Sequence, residues 1–230
     1  MYRSSFLALL ALAVVGAPAD HAALAQPAEA RDRGPRYEIT VTNLTAAEIF
    51  TPILAASHVG GARLFDLGSP ASVPLEALAE AGDVGPLVAR ATGSPAVRDI
   101  AVSSGPLPPG GSVTLELAAG GRFDHVSVAS MLVPSNDAFF AANGVEGPRG
   151  HDTVVVLSPA YDAGTERNDQ ECASIPGPPN VCQGEGFNAS RAGAEGFVHV
   201  HRGIHDIGDL SADTYDWRNP VARITIRLIR

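Results

Sequence analysis

Residues 112–133 read SVTLELAAGGRFDHVSVASMLV. Ser112 to Leu117 (SVTLEL) alternates polar and apolar side chains, the period of a strand with one buried face. Gly110-Gly111 precede that segment, Gly120-Gly121 follow it, and Phe123 to Val133 (FDHVSVASMLV) continues the pattern. The chain on either side reads the same way. Tyr37 to Thr42 (YEITVT) alternates, and Ile49 to Ser57 (IFTPILAAS) is a second strand in which Pro52 marks an edge or bulge. Thr153 to Leu157 (TVVVL) reads as a fully buried strand, and Phe197 to His201 and Val221 to Ile229 (VARITIRLI) complete the set. In the last of these, Val221, Ile224, Ile226 and Leu228 fall mostly on one face, with Arg223, Thr225 and Arg227 near the other. Helical signals are few. Pro74 to Ala81 (PLEALAEA) has a proline in its first turn and Gly82 behind it, and Gly85 to Ala91 offers a second short helix. Six to eight strands with at most two short helices predict an all-β fold, an antiparallel β-sandwich.

A chain of 230 residues with 45% hydrophobic content can bury a sizeable core. Its cations are all arginine. Sixteen of them face 25 Asp and Glu for a net charge of −9, which excludes a general nucleic-acid surface. At the N-terminus, Arg3 precedes the apolar run Phe6 to Gly16 (FLALLALAVVG), which is too short to span a bilayer. Ala23-Leu24-Ala25 then supplies a signal-peptidase site, so residues 1–25 read as a signal peptide and 26–36 as a polar linker. Residues 37–230 form one β-sandwich domain, secreted or periplasmic, with no membrane span in the mature chain. A retained membrane anchor is the other reading of that run. In an oxidising compartment Cys172 and Cys182 are expected to form a disulfide, with a thiolate metal site as the alternative.

Catalytic signatures are missing: there is no G-x-S-x-G elbow, phosphate-binding glycine loop or H-E-x-x-H helix. Two constellations carry chemistry instead. The first is acidic. Pro134-Ser135-Asn136-Asp137-Ala138-Phe139 follows one hydrophobic strand and Tyr161-Asp162-Ala163-Gly164-Thr165-Glu166 follows the next, so both loops can emerge at one end of a sandwich. Carboxylates converging there are hard oxygen ligands suited to Ca²⁺. The competing reading makes Asp137 the N-cap of a short helix and Asp162 the head of an Asx-turn.

The two loops, in this order, resemble those of the spondin domain, the N-terminal module of F-spondin. That family carries Pro-Ser-Pro-Asp-Trp and then Trp/Tyr-Asp-Ala-Gly-Thr-Asp, and the closing N-P-V-A-R-I-T-I is similar to its last strand. The resemblance implies a C2-like antiparallel β-sandwich, with Ca²⁺ held by Asp137, Asp162 and Glu166. Two departures stand out. Ala138 displaces the aromatic to Phe139, and Glu166 replaces the family's final Asp.

The second constellation is Val198-His199-Val200-His201-Arg202-Gly203-Ile204-His205-Asp206. On a strand His199 and His201 share a face, and a turn at Gly203 can return His205 to them. Three imidazoles suit Zn²⁺ or Cu²⁺, while the alternative is a polar strand face bonded to Asp206, Asp209 or the backbone. Three functions follow as expectations. The first is a non-catalytic, Ca²⁺-dependent adhesion module that contacts an extracellular or cell-envelope protein or glycan. The second is a periplasmic transition-metal protein or metal-dependent enzyme using His199, His201 and His205. The third is a structural envelope protein.

Overall fold

The computed structural model describes residues 34–229; the expected signal peptide and most of the expected linker lie outside them. Eleven strands and three α-helices, with a 3-10 turn at Cys172–Ser174, follow in order among the described residues. They are β1 (Arg36–Asn43), β2 (Ile49–Phe50), β3 (Leu54–His58), α1 (Val73–Ala81), α2 (Gly85–Thr92), β4 (Val97–Val102), β5 (Ser112–Ala118) and β6 (His125–Val133). After these come β7 (Ala138–Glu146), β8 (Thr153–Ser158), β9 (Ala160–Asp162), β10 (His199–Val200), α3 (Ala212–Tyr215) and β11 (Ala222–Ile229). The strands form two antiparallel sheets, in the orders β5-β1-β11-β8 and β10-β9-β7-β6-β3-β4, with β2 paired to β6. The fold is an all-β sandwich, as its alternating segments predict.

The smaller sheet shows why alternation was readable. Ile39 sits opposite Ile226 on one side and Leu115 on the other, all three facing the interior. Its outer face is polar: Thr40 and Thr114 share a hydrogen bond of 3.0 Å, and Glu38 pairs with Arg227. Such cross-strand pairs each contribute about 0.2–1 kcal/mol. Among the described residues no helix lies over this face, which corrects the reading of TVVVL. In β8, Val155 and Leu157 are 55% and 58% exposed, because the strand lies at the edge of a sheet covered on one side only.

The larger sheet is covered on both sides, and its parity divides the side chains between two cores. Val126, Val128, Leu132 and Phe140 face the sandwich interior, where the Phe50 and Phe140 ring centroids are 4.5 Å apart. Ala129, Phe139 and Ala141 face the helices, against Leu75, Leu78 and Leu87. A strand buried on both faces reads as a nearly continuous apolar run. The structure extends strand β7 back over Ala138 and Phe139, which the sequence places in the acidic loop, and on to Glu146. Pro52 interrupts the expected Ile49–Ser57 strand, leaving β2 and β3 on either side of Thr51–Ile53, since proline brings no N–H to the ladder. α1 ends at Gly82, whose φ of 65° is left-handed and where a Cβ would meet Thr51 Cγ2 at 2.5 Å.

Between β9 and β10 the chain makes a long excursion over residues 163–198. Cys172 and Cys182 form the expected disulfide within it, ten residues apart. Ile175 and Cys182 are buried in the sandwich core, so the loop is pinned rather than merely tethered. Replacing both cysteines with alanine should remove about 2–3 kcal/mol of loop-closure stabilisation, a drop of about 5–10 °C in melting temperature. Calorimetry should register that drop while far-UV circular dichroism retains the β signal.

Candidate metal centre

Asp137 is the residue before β7 and Asp162 is the last of β9. Antiparallel register sets Ala138 opposite Asp162 and Asp162 opposite His199, so one ladder gathers both acids and an imidazole. The loop after Asp162 then folds around Asp137. The amides of Thr165 and Glu166 donate to Asp137 Oδ2 at 2.8 and 3.1 Å, and the Ala163 amide donates to the Asp137 carbonyl at 3.2 Å. Asp162 Oδ1 accepts from the Gly164 amide (2.7 Å) and Oδ2 from Asn168 Nδ2 (2.6 Å). Asp162 thus heads a local turn, and Asp137 opens a strand rather than capping a helix. Gly164 is needed for two reasons. Its φ is +66°, and a Cβ there would fall 2.3 Å from the Phe197 carbonyl oxygen.

The two acidic loops meet as expected, and a third element joins them. Glu80, on α1, is fully buried and its Oε2 accepts from the Asn188 amide at 2.9 Å. Among these acids, Asp137 Oδ1, Glu166 Oε2 and Glu80 Oε1 are buried with no hydrogen-bond partner, as are both oxygens of Glu48 between β1 and β2. Burial, then Glu80 and Asp137, pushes the Glu166 carboxyl up to about 9. Burial raises Asp137 and Asp162 as well, Asp162 adding to the rise at Asp137 and Glu195 to that at Asp162. Burial likewise raises Glu80. Uncompensated oxygens this deeply desolvated disfavour their own charge. Carboxylate oxygens are hard donors, but among the described residues the group whose ligand atoms converge within 4.8 Å takes only Asp162 from these acids. Glu76, one turn before Glu80, lacks this problem because Arg191 grips it at 2.9 and 2.5 Å.

The histidines divide. His201 is buried beside Trp217, with ring centroids 5.0 Å apart. Its Nδ1 accepts from the Gly203 amide at 2.9 Å, so the proton sits on Nε2, which donates to Asn168 Oδ1 at 3.2 Å. Burial holds its pKa down to about 3, so the ring is neutral. His199 Nε2 and His201 Nε2 lie 3.6 and 3.8 Å from Asp162 Oδ2. His205 is exposed, and the Gly203 turn brings its main chain, not its ring, to Gln170, whose Oε1 accepts from the His205 amide at 3.0 Å. Among the described residues, the group of three His, Cys, Asp or Glu whose ligand atoms lie within 4.8 Å of one another is Asp162, Glu195 and His199. The expected sets therefore contribute one member each to that group. Glu195 comes from the long loop and Glu80 from a helix; neither stands in a sequence pattern that singles it out.

The Spondin_N family's sequence pattern matches residues 42–170, more than half of the chain. Asp137, Asp162, Glu166 and Glu80 fall inside that stretch, while Glu195, His199, His201 and His205 fall outside it. No curated protein compared with the chain matches it.

The acid cluster sets a pH dependence of unusual sign. A carboxyl whose folded-state pKa lies above its unfolded value binds more protons when folded, so its contribution to stability is present at low pH and lost as pH rises. For Glu166 that window runs from about 4.5 to about 9. In chelator the protein should lose several degrees of melting temperature between about pH 5 and pH 8, and Glu166→Gln should flatten the slope. A melting temperature that climbs over this range would contradict the crowding of these acids.

Proposed function

The chain belongs to the spondin N-terminal domain family, whose members are extracellular interaction modules, and we propose that it is a secreted, non-catalytic, Ca²⁺-dependent adhesion module. The observation that carries the Ca²⁺ reading is the trio of buried, unpartnered carboxylate oxygens on Asp137, Glu166 and Glu80. Asp137, Asp162 and Glu166 would hold the ion, with Glu80 as an added ligand from α1. When bound, Ca²⁺ supplies positive charge to oxygens that the protein leaves without hydrogen bonds. The chain's own part is to present those oxygens. The amides of Thr165 and Glu166 hold one oxygen of Asp137 and leave the other free, while Asn168 and the Gly164 amide fix Asp162.

Export is supported by the disulfide and by the family. Among the described residues no helix is long and apolar enough to cross a membrane. The partner would be an extracellular or cell-envelope protein or glycan that reads the loops around the acids. One observation favours a second reading: Asp162, Glu195 and His199 form a mixed oxygen and nitrogen group of the kind borderline cations such as Zn²⁺ take.

Calorimetry on chelator-treated protein separates the readings. Ca²⁺ at about 100 times its Kd should stabilise the fold by about 2.7 kcal/mol, a rise of several degrees. Asp137→Asn or Glu166→Gln should remove most of that rise. Stabilisation by Zn²⁺ alone, abolished in His199→Ala, would favour the second reading. No shift with Ca²⁺ would sink the first.

A further inference from the structure

A cavity of about 310 Å³ lies between α2 and the helix-facing side of the larger sheet, apart from the acidic site. Leu54 and Ala56 of β3, Leu87 of α2 and Val97 of β4 give it apolar walls. His58 and Ser127, both buried, close its inner end. Their polar atoms are already used. Ser127 Oγ accepts from the Gly144 amide (2.9 Å) and donates to His58 Nε2 (2.8 Å), while His58 Nδ1 donates to the Val59 carbonyl (2.9 Å). That end is therefore lined by satisfied groups that require nothing further of a ligand.

Arg63 and Arg90 also line the cavity, and both are exposed, which puts them at its mouth. Neither guanidinium has an ion pair or hydrogen bond among the described residues. No Asp or Glu lines the cavity. On a chain of net charge −9, two uncompensated guanidiniums over an apolar hole reverse the local field. The guanidinium fork matches planar oxyanions, and the walls below it match hydrocarbon. The volume is at the small end for ligand sites, about 300–1,000 Å³, which suits a compact ligand.

We propose that this cavity binds a small monocarboxylate with a short apolar body. Arg63 and Arg90 hold the carboxylate, and the hydrocarbon lies between Leu54, Leu87 and Val97. The site shares no residue with the acidic cluster, so binding should be the same in chelator and in Ca²⁺.

The test is titration of the full chain with octanoate, and with octanamide as its uncharged match, followed by ¹H–¹⁵N NMR. Octanoate should give saturable shifts at α2 and β3, with an affinity about tenfold or more above that of octanamide. Arg63→Gln combined with Arg90→Gln should weaken octanoate about tenfold and leave the melting temperature unchanged, since both side chains are exposed. Ala91→Leu, which fills the cavity from a helical position, should abolish binding with the fold intact. Equal affinity for octanoate and octanamide, undiminished binding in the double arginine variant, or shifts confined to other surfaces would each overturn the proposal.

Discussion

Phe139 and Phe140 are consecutive in β7 and bury their rings in different cores. Strand alternation makes this obligatory once the larger sheet is covered on both sides. A slip of one residue would exchange every side chain of β7 between the two cores, so burial on both faces holds the register. The acidic site inherits that register. Asp137 is the residue before β7, and Ala138, the first of β7, faces Asp162, which faces His199. The site is thus placed by main-chain pairing and by two phenylalanine rings, not by packing of its own.

Placement there has an electrostatic consequence. Main-chain amides satisfy one oxygen of Asp137, and Arg191 neutralises Glu76, but Asp137 Oδ1, Glu166 Oε2 and Glu80 Oε1 receive neither. At neutral pH burial favours the protonated form of such groups, and a cation at the proposed site would compete with those protons. A cluster where local rules conflict has the pattern of a functional site, although Glu48, buried and unpartnered between β1 and β2, shows the same conflict alone. The conflict is tolerable because the loops stand on strands buried on both faces.

Much of the fold was legible, and what was missed has a common cause. Strands with one wet face, such as β1, β5 and β11, announce themselves by alternation, and α1 by Pro74 and Gly82. β8 differs from its expected burial, and the start of β7 from its expected loop, because apolar runs do not say which side of a sheet is covered. Asp137, Asp162 and Glu166 were visible because they sit in loops whose neighbours resemble a known pair of phrases. Glu80 was not, since an acid at helical spacing from Glu76 reads as an ordinary solvated face. Glu195 lies in a Gly-rich stretch with no periodicity, and only the return of the chain to pair β10 with β9 carries it to Asp162. His201 was grouped with His199 by spacing, yet it lies buried against Trp217 and bonded to the Gly203 amide and Asn168. Spacing showed that the two shared a neighbourhood and could not show that one was bound up in it.

Most of the long loop lies outside the matched family stretch, which ends at residue 170. A loop of that length loses much conformational entropy on ordering, and here several contacts oppose the loss. The disulfide and Ile175 fix its middle, Arg191 fixes it to Glu76, and β10 fixes its end. One further contact runs through Glu80. Its Oε2 accepts from the Asn188 amide of the loop, while its Oε1 has no partner and its charge adds to the crowding of Glu166. Ionising the cluster therefore sets repulsion on the same carboxylate that holds the loop, and a cation at the proposed site would relieve both strains together. Loop order and the charge state of the acids are in this way properties of one side chain, which couples the long loop to the buried acid cluster.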